Sequence, residues 1–126
     1  MDSWTEKRAK AAKKYDEILD SMGISHTVPD SGRHVYHVYS VLVEKRDEIM
    51  KKMREAKIGV SSHYPIACHR QKGYESFIKL GSNLSNSESV SSKLLSLPID
   101  ESINEKQIEI VCENLNNIIK STKWKE

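Results

Sequence analysis

The run His63-Tyr64-Pro65-Ile66-Ala67-Cys68-His69-Arg70-Gln71, with Tyr74 just beyond it, sets two imidazoles, two phenols, a thiol, a guanidinium and an amide in one Pro-interrupted stretch. Four kinds of chemistry use such groups. His63, Cys68 and His69 are soft or borderline metal ligands within seven positions. Structural zinc, however, needs four ligands at paired spacings such as Cys-x-x-Cys, and the sequence has no such pair. Cys68 and His69 make a poor nucleophile and base, because neighbours on an extended chain point to opposite sides and such pairs normally meet through the fold. Ser76-Phe-Ile-Lys79 has the Ser-x-x-Lys spacing of certain acylating enzymes, yet two fixed positions in four arise often by chance, and the partner motifs are missing. The fourth chemistry is recognition. His63, Tyr64, His69, Gln71 and Tyr74 offer donors, acceptors and stacking faces. An anionic or polyhydroxylated ligand needs that mixture, since each hydroxyl both gives and accepts. On residue chemistry alone this reading stands level with a polar loop whose imidazoles are merely satisfied.

The elements around the run must position it. Trp4, Ala11 or Ala12, Tyr15, Ile18, Leu19 and Met22 recur at helical spacing and predict a helix over 4–22. Ser3 with Glu6 reads as its capping box and Gly23 as its C-cap. The basic cluster Lys7, Arg8, Lys10, Lys13 and Lys14 on this helix reads as a solvated face. Turn residues 29–32 lead to a long β-branched and aromatic strand over 34–43, with Val35, His37, Tyr39 and Val41 on one face. A second helix is predicted from Arg46 to Lys57, with Ile49, Met50, Met53 and Ala56 on one side and Gly59 as its stop. A short strand over 59–63 runs into the His63 stretch, and 69–93 reads as irregular or weakly helical. Leu94–Leu97, ended by Pro98, is a third strand. The final helix is the best marked: Asn104 as N-cap, Gln107 at N3, Ile103 and Ile108 as a staple, then Val111, Leu115 and Ile118 to about Lys120. Cys112 reads as a small buried hydrophobe. The fold class is therefore α+β: one domain over 1–126, a short, mainly antiparallel sheet of about three strands covered by helices.

Bulk properties narrow the function. The chain has 126 residues, with 37% hydrophobic and 30% charged, enough for one modest core. Twenty Lys and Arg against 18 Asp and Glu leave a net charge of +2, not the concentrated basic face of a nucleic-acid binder. No apolar run approaches the ~18 residues of a membrane span, and the first residues do not read as a signal peptide. Two cysteines are too few for a disulfide framework, so a reducing, cytoplasmic setting is expected.

Read in order, these motifs resemble the DegT/DnrJ sugar aminotransferases, pyridoxal-phosphate enzymes of the aspartate aminotransferase fold type. The resemblance rests on Lys7-Arg8…Ala11…Tyr15…Leu19, on His34 to Tyr39, and on Arg46-Asp47 opening a helix. It continues through Ile58-Gly59 to His63-Tyr64-Pro65…His69-x-Gln71-x-x-Tyr74, then Glu88 and Leu95-Ser96-Leu97-Pro98. Ala67 stands where the family has a second proline, and Ile99-Asp100 where it has His-Pro or Tyr-Pro. The resemblance covers nearly the whole chain and matches the family's C-terminal small domain. It implies a parent enzyme that moves an amino group from glutamate to a nucleotide-linked keto sugar in amino-sugar, polysaccharide or antibiotic-sugar biosynthesis. It implies further that this domain forms one wall of the cleft, with His63, Tyr64, His69, Gln71 and Tyr74 on substrate oxygens. His69 and Arg70 would supply positive charge there. The cofactor domain, with its Schiff-base lysine, is then absent from these 126 residues. The chain alone would bind no pyridoxal phosphate and catalyse nothing, and the parent would be a homodimer without nucleic-acid or membrane partners. A stand-alone ligand-binding or regulatory module is the competing expectation, since some members of the family carry regulatory names.

Overall fold

The computed structural model describes residues 2–74, 77 and 83–123. In chain order these form α1 (Asp2–Met22), β1 (Tyr39–Leu42), α2 (Arg46–Glu55), a 3-10 turn (Cys68–Arg70), α3 (Ser85–Lys93), β2 (Leu94–Leu97) and α4 (Glu105–Lys123). The Ser76-x-x-Lys79 spacing lies outside the described residues.

The helices form where apolar residues recur every three or four positions. α1 buries Ala11, Ala12, Tyr15 and Leu19, and α4 buries Ile108, Val111, Cys112 and Leu115, in one common core. Lys14 on α1 ties the two together, its ammonium 3.3 Å from Glu109 and 3.7 Å from Glu105 on α4. The Asn104 capping box is present: the Asn104 amide donates to Gln107 Oε1 at 2.9 Å and the Gln107 amide to Asn104 Oδ1 at 3.0 Å. α1 ends as expected at Gly23, in the left-handed region at φ 67°, with Ile24 N–H donating to the Leu19 carbonyl and Gly23 N–H to Asp20. That is the paired Schellman closure, which suits glycine because it carries no Cβ.

β1 and β2 pair antiparallel, Tyr39 opposite Leu97 and Leu42 opposite Leu94. Between the sheet and α1, the Tyr15 and Tyr39 rings stack at 4.7 Å, and the Tyr39 hydroxyl donates to Asp16 at 2.7 Å. Tyr15 OH donates to the Pro98 carbonyl at 2.8 Å, so both large buried aromatics have their polar ends satisfied.

Several expectations are corrected. α1 runs through Ser3, which is an interior position rather than a cap, and Trp4 is exposed rather than part of the apolar stripe. The long strand over 34–43 shrinks to Tyr39–Leu42. Tyr36 takes φ 47°, which no strand accommodates, and the partner strand supplies only four residues before Pro98, which has no N–H to donate. The strand over 59–63 is a single bridge, Ser61 with Ser96, whose amides donate to each other's carbonyls at 3.2 and 2.8 Å. The predicted irregular stretch contains α3, which buries no residue of its own. α2 ends two residues short of Lys57, and its stop is Lys57 itself at φ 63°, not Gly59. Lys57 N–H donates to the Arg54 carbonyl and Ile58 N–H to Met53, the same closure that Gly23 makes for α1.

Two stability outcomes follow, both readable as shifts of the urea midpoint at constant slope. Lys57→Gly is expected to stabilise the chain by about 1 kcal/mol, because it relieves a left-handed residue that carries a Cβ. Arg46→Met, at the buried start of α2, is expected to destabilise it by about 2–4 kcal/mol, since it strands the acceptors described next.

Candidate functional site

The loop from Ser61 to Tyr74 leaves the core beside β2 and is fixed to it from below. Arg46 is the main anchor. Its guanidinium is 6% exposed and donates to the carbonyls of Leu94 at 3.2 Å and Ser91 at 3.4 Å, and to the Ser62 hydroxyl. Its Nε lies 2.6 Å from Asp47 Oδ1. Ser62 Oγ in turn donates to the Leu94 carbonyl at 3.0 Å. Planar guanidinium with five donors can serve several acceptors at once, which an ammonium cannot do in fixed directions.

The two histidines have different surroundings. His63 lies at the exposed base of the loop. Its Nδ1 is 3.0 Å from Ser96 Oγ, and its ring meets Tyr64 edge-on at 5.6 Å. The His63–Tyr64 peptide is cis. The His69 side chain is only 8% exposed and turns inward, Nε2 2.9 Å from Glu88 Oε1 on α3. Arg70 Nε lies 3.4 Å from the same oxygen. The hydrogen bond from His69, then the charge of Arg70, holds the Glu88 carboxyl below the usual carboxylate range. The positive charge expected from His69 and Arg70 is therefore already directed at an internal carboxylate.

Tyr64, Gln71 and Tyr74 point away from this anchored side. Tyr64 is 74% exposed and Tyr74 58%, and Gln71 is exposed as well. Successive turns hold their backbone, Gln71 N–H to Cys68 and Tyr74 N–H to Gln71. Ile66 and Phe77 add exposed apolar surface to the same stretch. Among the described residues no hydrogen bond or ion pair joins the His63 end of the loop to the His69 end, so the five candidate residues share a loop rather than a closed pocket.

Neither thiol belongs to a cluster of metal-ligating side chains among the described residues. Cys68 is exposed, beside an imidazole whose Nε2 faces Glu88. Cys112 is buried in α4, and burial pushes its thiol up to about 12. Among the described residues no three His, Cys, Asp or Glu side chains gather as metal ligands. A cleft of about 510 Å3 lies elsewhere, between the end of α1, the β1–α2 turn and α4, floored by Met22, Ile24, Val43 and Ile119. It takes no lining residue from the loop. Among the described residues no helix is long and apolar enough to cross a membrane.

Sequence reasoning named the loop residues but missed what holds them. Glu88 and Ser96 entered only as family landmarks, and Arg46 only as a helix opener. A sequence shows neither that an arginine is buried nor which of two histidines faces a carboxylate. The Glu88 clasp carries a pH dependence. Because its carboxyl is depressed in the folded chain, the unfolded chain binds more protons at acid pH. The clasp is complete at neutral pH and loosens as pH falls through the depressed range. Protection of the amides over residues 85–93, taken against the intrinsic exchange rate at each pH, should fall there. His69→Gln should move the onset to higher pH.

Comparison with known proteins gives this geometry a context. The model of the DegT/DnrJ/EryC1/StrS aminotransferase family matches residues 1–116. The chain is 31% identical over 119 residues to a pleiotropic regulatory protein of Geobacillus stearothermophilus, covering 91% of this chain and 32% of the relative. It is 31% identical over 117 residues to the dTDP-3-amino-3,6-dideoxy-alpha-D-galactopyranose transaminase of Aneurinibacillus thermoaerophilus, covering 92% and 32%. Among solved structures it matches NtdA of Bacillus subtilis with bound cofactor PMP, at 28% identity and a TM-score of 0.79, covering 93% of this chain and 28% of that one. The chain thus spans about a third of the length of the curated relatives it matches. Matched by the family model over residues 1–116, with the loop from His63 to Tyr74 inside that span, the chain belongs to the DegT/DnrJ/EryC1/StrS aminotransferase family.

Proposed function

We propose that the chain is the C-terminal small domain of a pyridoxal-phosphate-dependent aminotransferase acting on nucleotide-linked keto sugars, and that the loop from His63 to Tyr74 forms one wall of its substrate cleft. The observation that carries this reading is the loop's two-sidedness. It is anchored beneath through Arg46, Ser62, Ser96 and Glu88, and it holds Tyr64, Gln71 and Tyr74 out to solvent.

Transfer of the amino group is the chemistry that pyridoxal phosphate supplies when bound. Binding it takes an amine for the Schiff base, a carboxylate for the pyridine nitrogen and a cradle for the phosphate. The five candidate residues do not meet those needs: they carry imidazoles, phenols and an amide, and the Glu88 carboxylate beside His69 is engaged by His69 and Arg70. What they can do is bind and orient. Tyr64 and Tyr74 offer stacking faces and hydroxyls, Gln71 gives and accepts, and His63 and His69 contribute ring nitrogens, which together suit a sugar and its diphosphate. In this reading the cofactor residues lie in a domain outside these residues, the chain alone is inactive, and the partners are a nucleotide-linked sugar, glutamate and a second copy of the parent enzyme. Nucleic acid and membrane are not among them, and the setting is cytoplasmic.

The test joins this chain to the remaining part of the galactopyranose transaminase relative and assays transamination of a dTDP-linked keto sugar with glutamate. The chain alone, with pyridoxal phosphate added, should give no turnover, and the chimera should. In the chimera, Tyr64→Ala and Tyr74→Ala should each raise KM for the nucleotide sugar about tenfold or more, the cost of one lost contact to a charged or stacked group. Turnover by the chain alone would refute the assignment. Tight sugar binding by the chain alone, with no turnover from any chimera, would favour the regulatory-module reading instead.

A further inference from the structure

Below His63 the structure holds a short chain of hydroxyls that the loop reading does not use. Ser96 Oγ, on β2, lies 3.0 Å from His63 Nδ1 and 3.3 Å from Ser40 Oγ on β1. Both serines are buried, Ser96 at 4% exposure and Ser40 at 8%. Their backbones leave no freedom to drift. Ser40 and Ser96 face each other in the β1–β2 register, and Ser96 exchanges two amide bonds with Ser61, two residues before His63.

The direction of this chain follows from counting protons. Two hydroxyls bring two donors. Among the described residues Ser40 Oγ has Ser96 Oγ as its hydrogen-bond partner, and Ser96 Oγ has Ser40 Oγ and His63 Nδ1. If Ser40 donates to Ser96 and Ser96 donates to the lone pair of Nδ1, both protons are used. If instead His63 carries its proton on Nδ1 and donates to Ser96, one buried hydroxyl proton has no acceptor, which is the expensive arrangement for a buried polar group.

We propose that Ser96, backed by Ser40, is a positioning residue for His63: it accepts from Ser40 and donates to Nδ1, fixing the neutral imidazole with its proton on Nε2. Nε2 is the nitrogen not tied to the sheet. His63 then faces outward as a hydrogen-bond donor, suited to an acceptor oxygen on a phosphate, carboxylate or carbonyl rather than to a ligand N–H. The identity of that acceptor as a substrate oxygen rests on the cleft-wall reading. The positioning of the ring does not.

The two can be separated by experiment on the 126-residue chain. Long-range 1H–15N correlation on histidine-labelled protein, above the pH at which His63 is protonated, reads its tautomer directly. The Nε2–H form is expected in about tenfold excess or more over the Nδ1–H form. Ser96→Ala should cut that excess to a few-fold, and Ser96→Thr, which keeps the hydroxyl, should retain it. A dominant Nδ1–H form in the wild type, or a ratio unchanged by Ser96→Ala, overturns the proposal. If Ser96→Ala does not fold, the wild-type and Ser96→Thr spectra decide by the same criterion. Adding the dTDP-linked keto sugar to the active chimera should shift the His63 Nε2 resonance. A shift absent there, with the tautomer as expected, removes the substrate reading and leaves the positioning role standing.

Discussion

The buried guanidinium of Arg46 is the constraint on which the arrangement turns. It sits at the N-terminal end of α2, where the helix dipole disfavours a cation. Two features offset that. Asp47 supplies a carboxylate at 2.6 Å, and the carbonyls of Ser91 and Leu94 belong to the C-terminal end of α3 and the first residue of β2. The last carbonyls of a helix have no partner within it and carry the negative end of its dipole. One side chain thus starts α2, closes α3 and, through Ser62, fixes the point where the loop departs. Removing a charge from water is costly unless its donors find acceptors, and Arg46 finds a carboxylate, two carbonyls and a hydroxyl.

α3 depends on such outside help. It has five serines in nine residues and buries none of its side chains. Ser91 and Ser92 turn their hydroxyls back to the carbonyls of Ser87 and Ser89, bonds that add little to helix stability. What keeps the segment helical is contact with its surroundings, Arg46 at one end and the His69–Glu88–Arg70 clasp near its middle. This explains why the sequence over 85–93 reads as weak. Its helix is a tertiary product, and no apolar period announces it. The opposite holds for α1 and α4, whose burial follows the period of Tyr15 and Leu19, and of Ile108, Val111 and Leu115, and whose ends are marked by Gly23 and by the Asn104–Gln107 box.

The errors at element ends share one cause. β-propensity continues from His34 to Val43, but a strand lasts only as long as its partner, and β2 is bounded by Pro98. Gly59 has the right residue type to end α2, yet the backbone turns two residues earlier at Lys57, because the carbonyls of Met53 and Arg54 are the ones within reach of the next amides. At the candidate site the types of the groups were legible and their orientation was not. His63 and His69 are six residues apart in the same motif. One rests through Nδ1 on a buried serine, and the other is folded through Nε2 onto a glutamate.

That difference bears on what the loop is for. A loop meant only to close a core would turn its large apolar groups inward, as Tyr15 and Tyr39 do, and let its ions face water. Here the large apolar groups face out: the His69 imidazole turns to Glu88 on α3, while Tyr64, Ile66, Tyr74 and Phe77 are exposed, Phe77 at 81%. Exposed apolar groups near one another on a small chain normally mark a surface that meets something else. The groups that hold this loop, Arg46, Ser96 and Glu88, lie on its anchored side, so the cost of ordering the exposed aromatic and amide groups is met in folding rather than in binding.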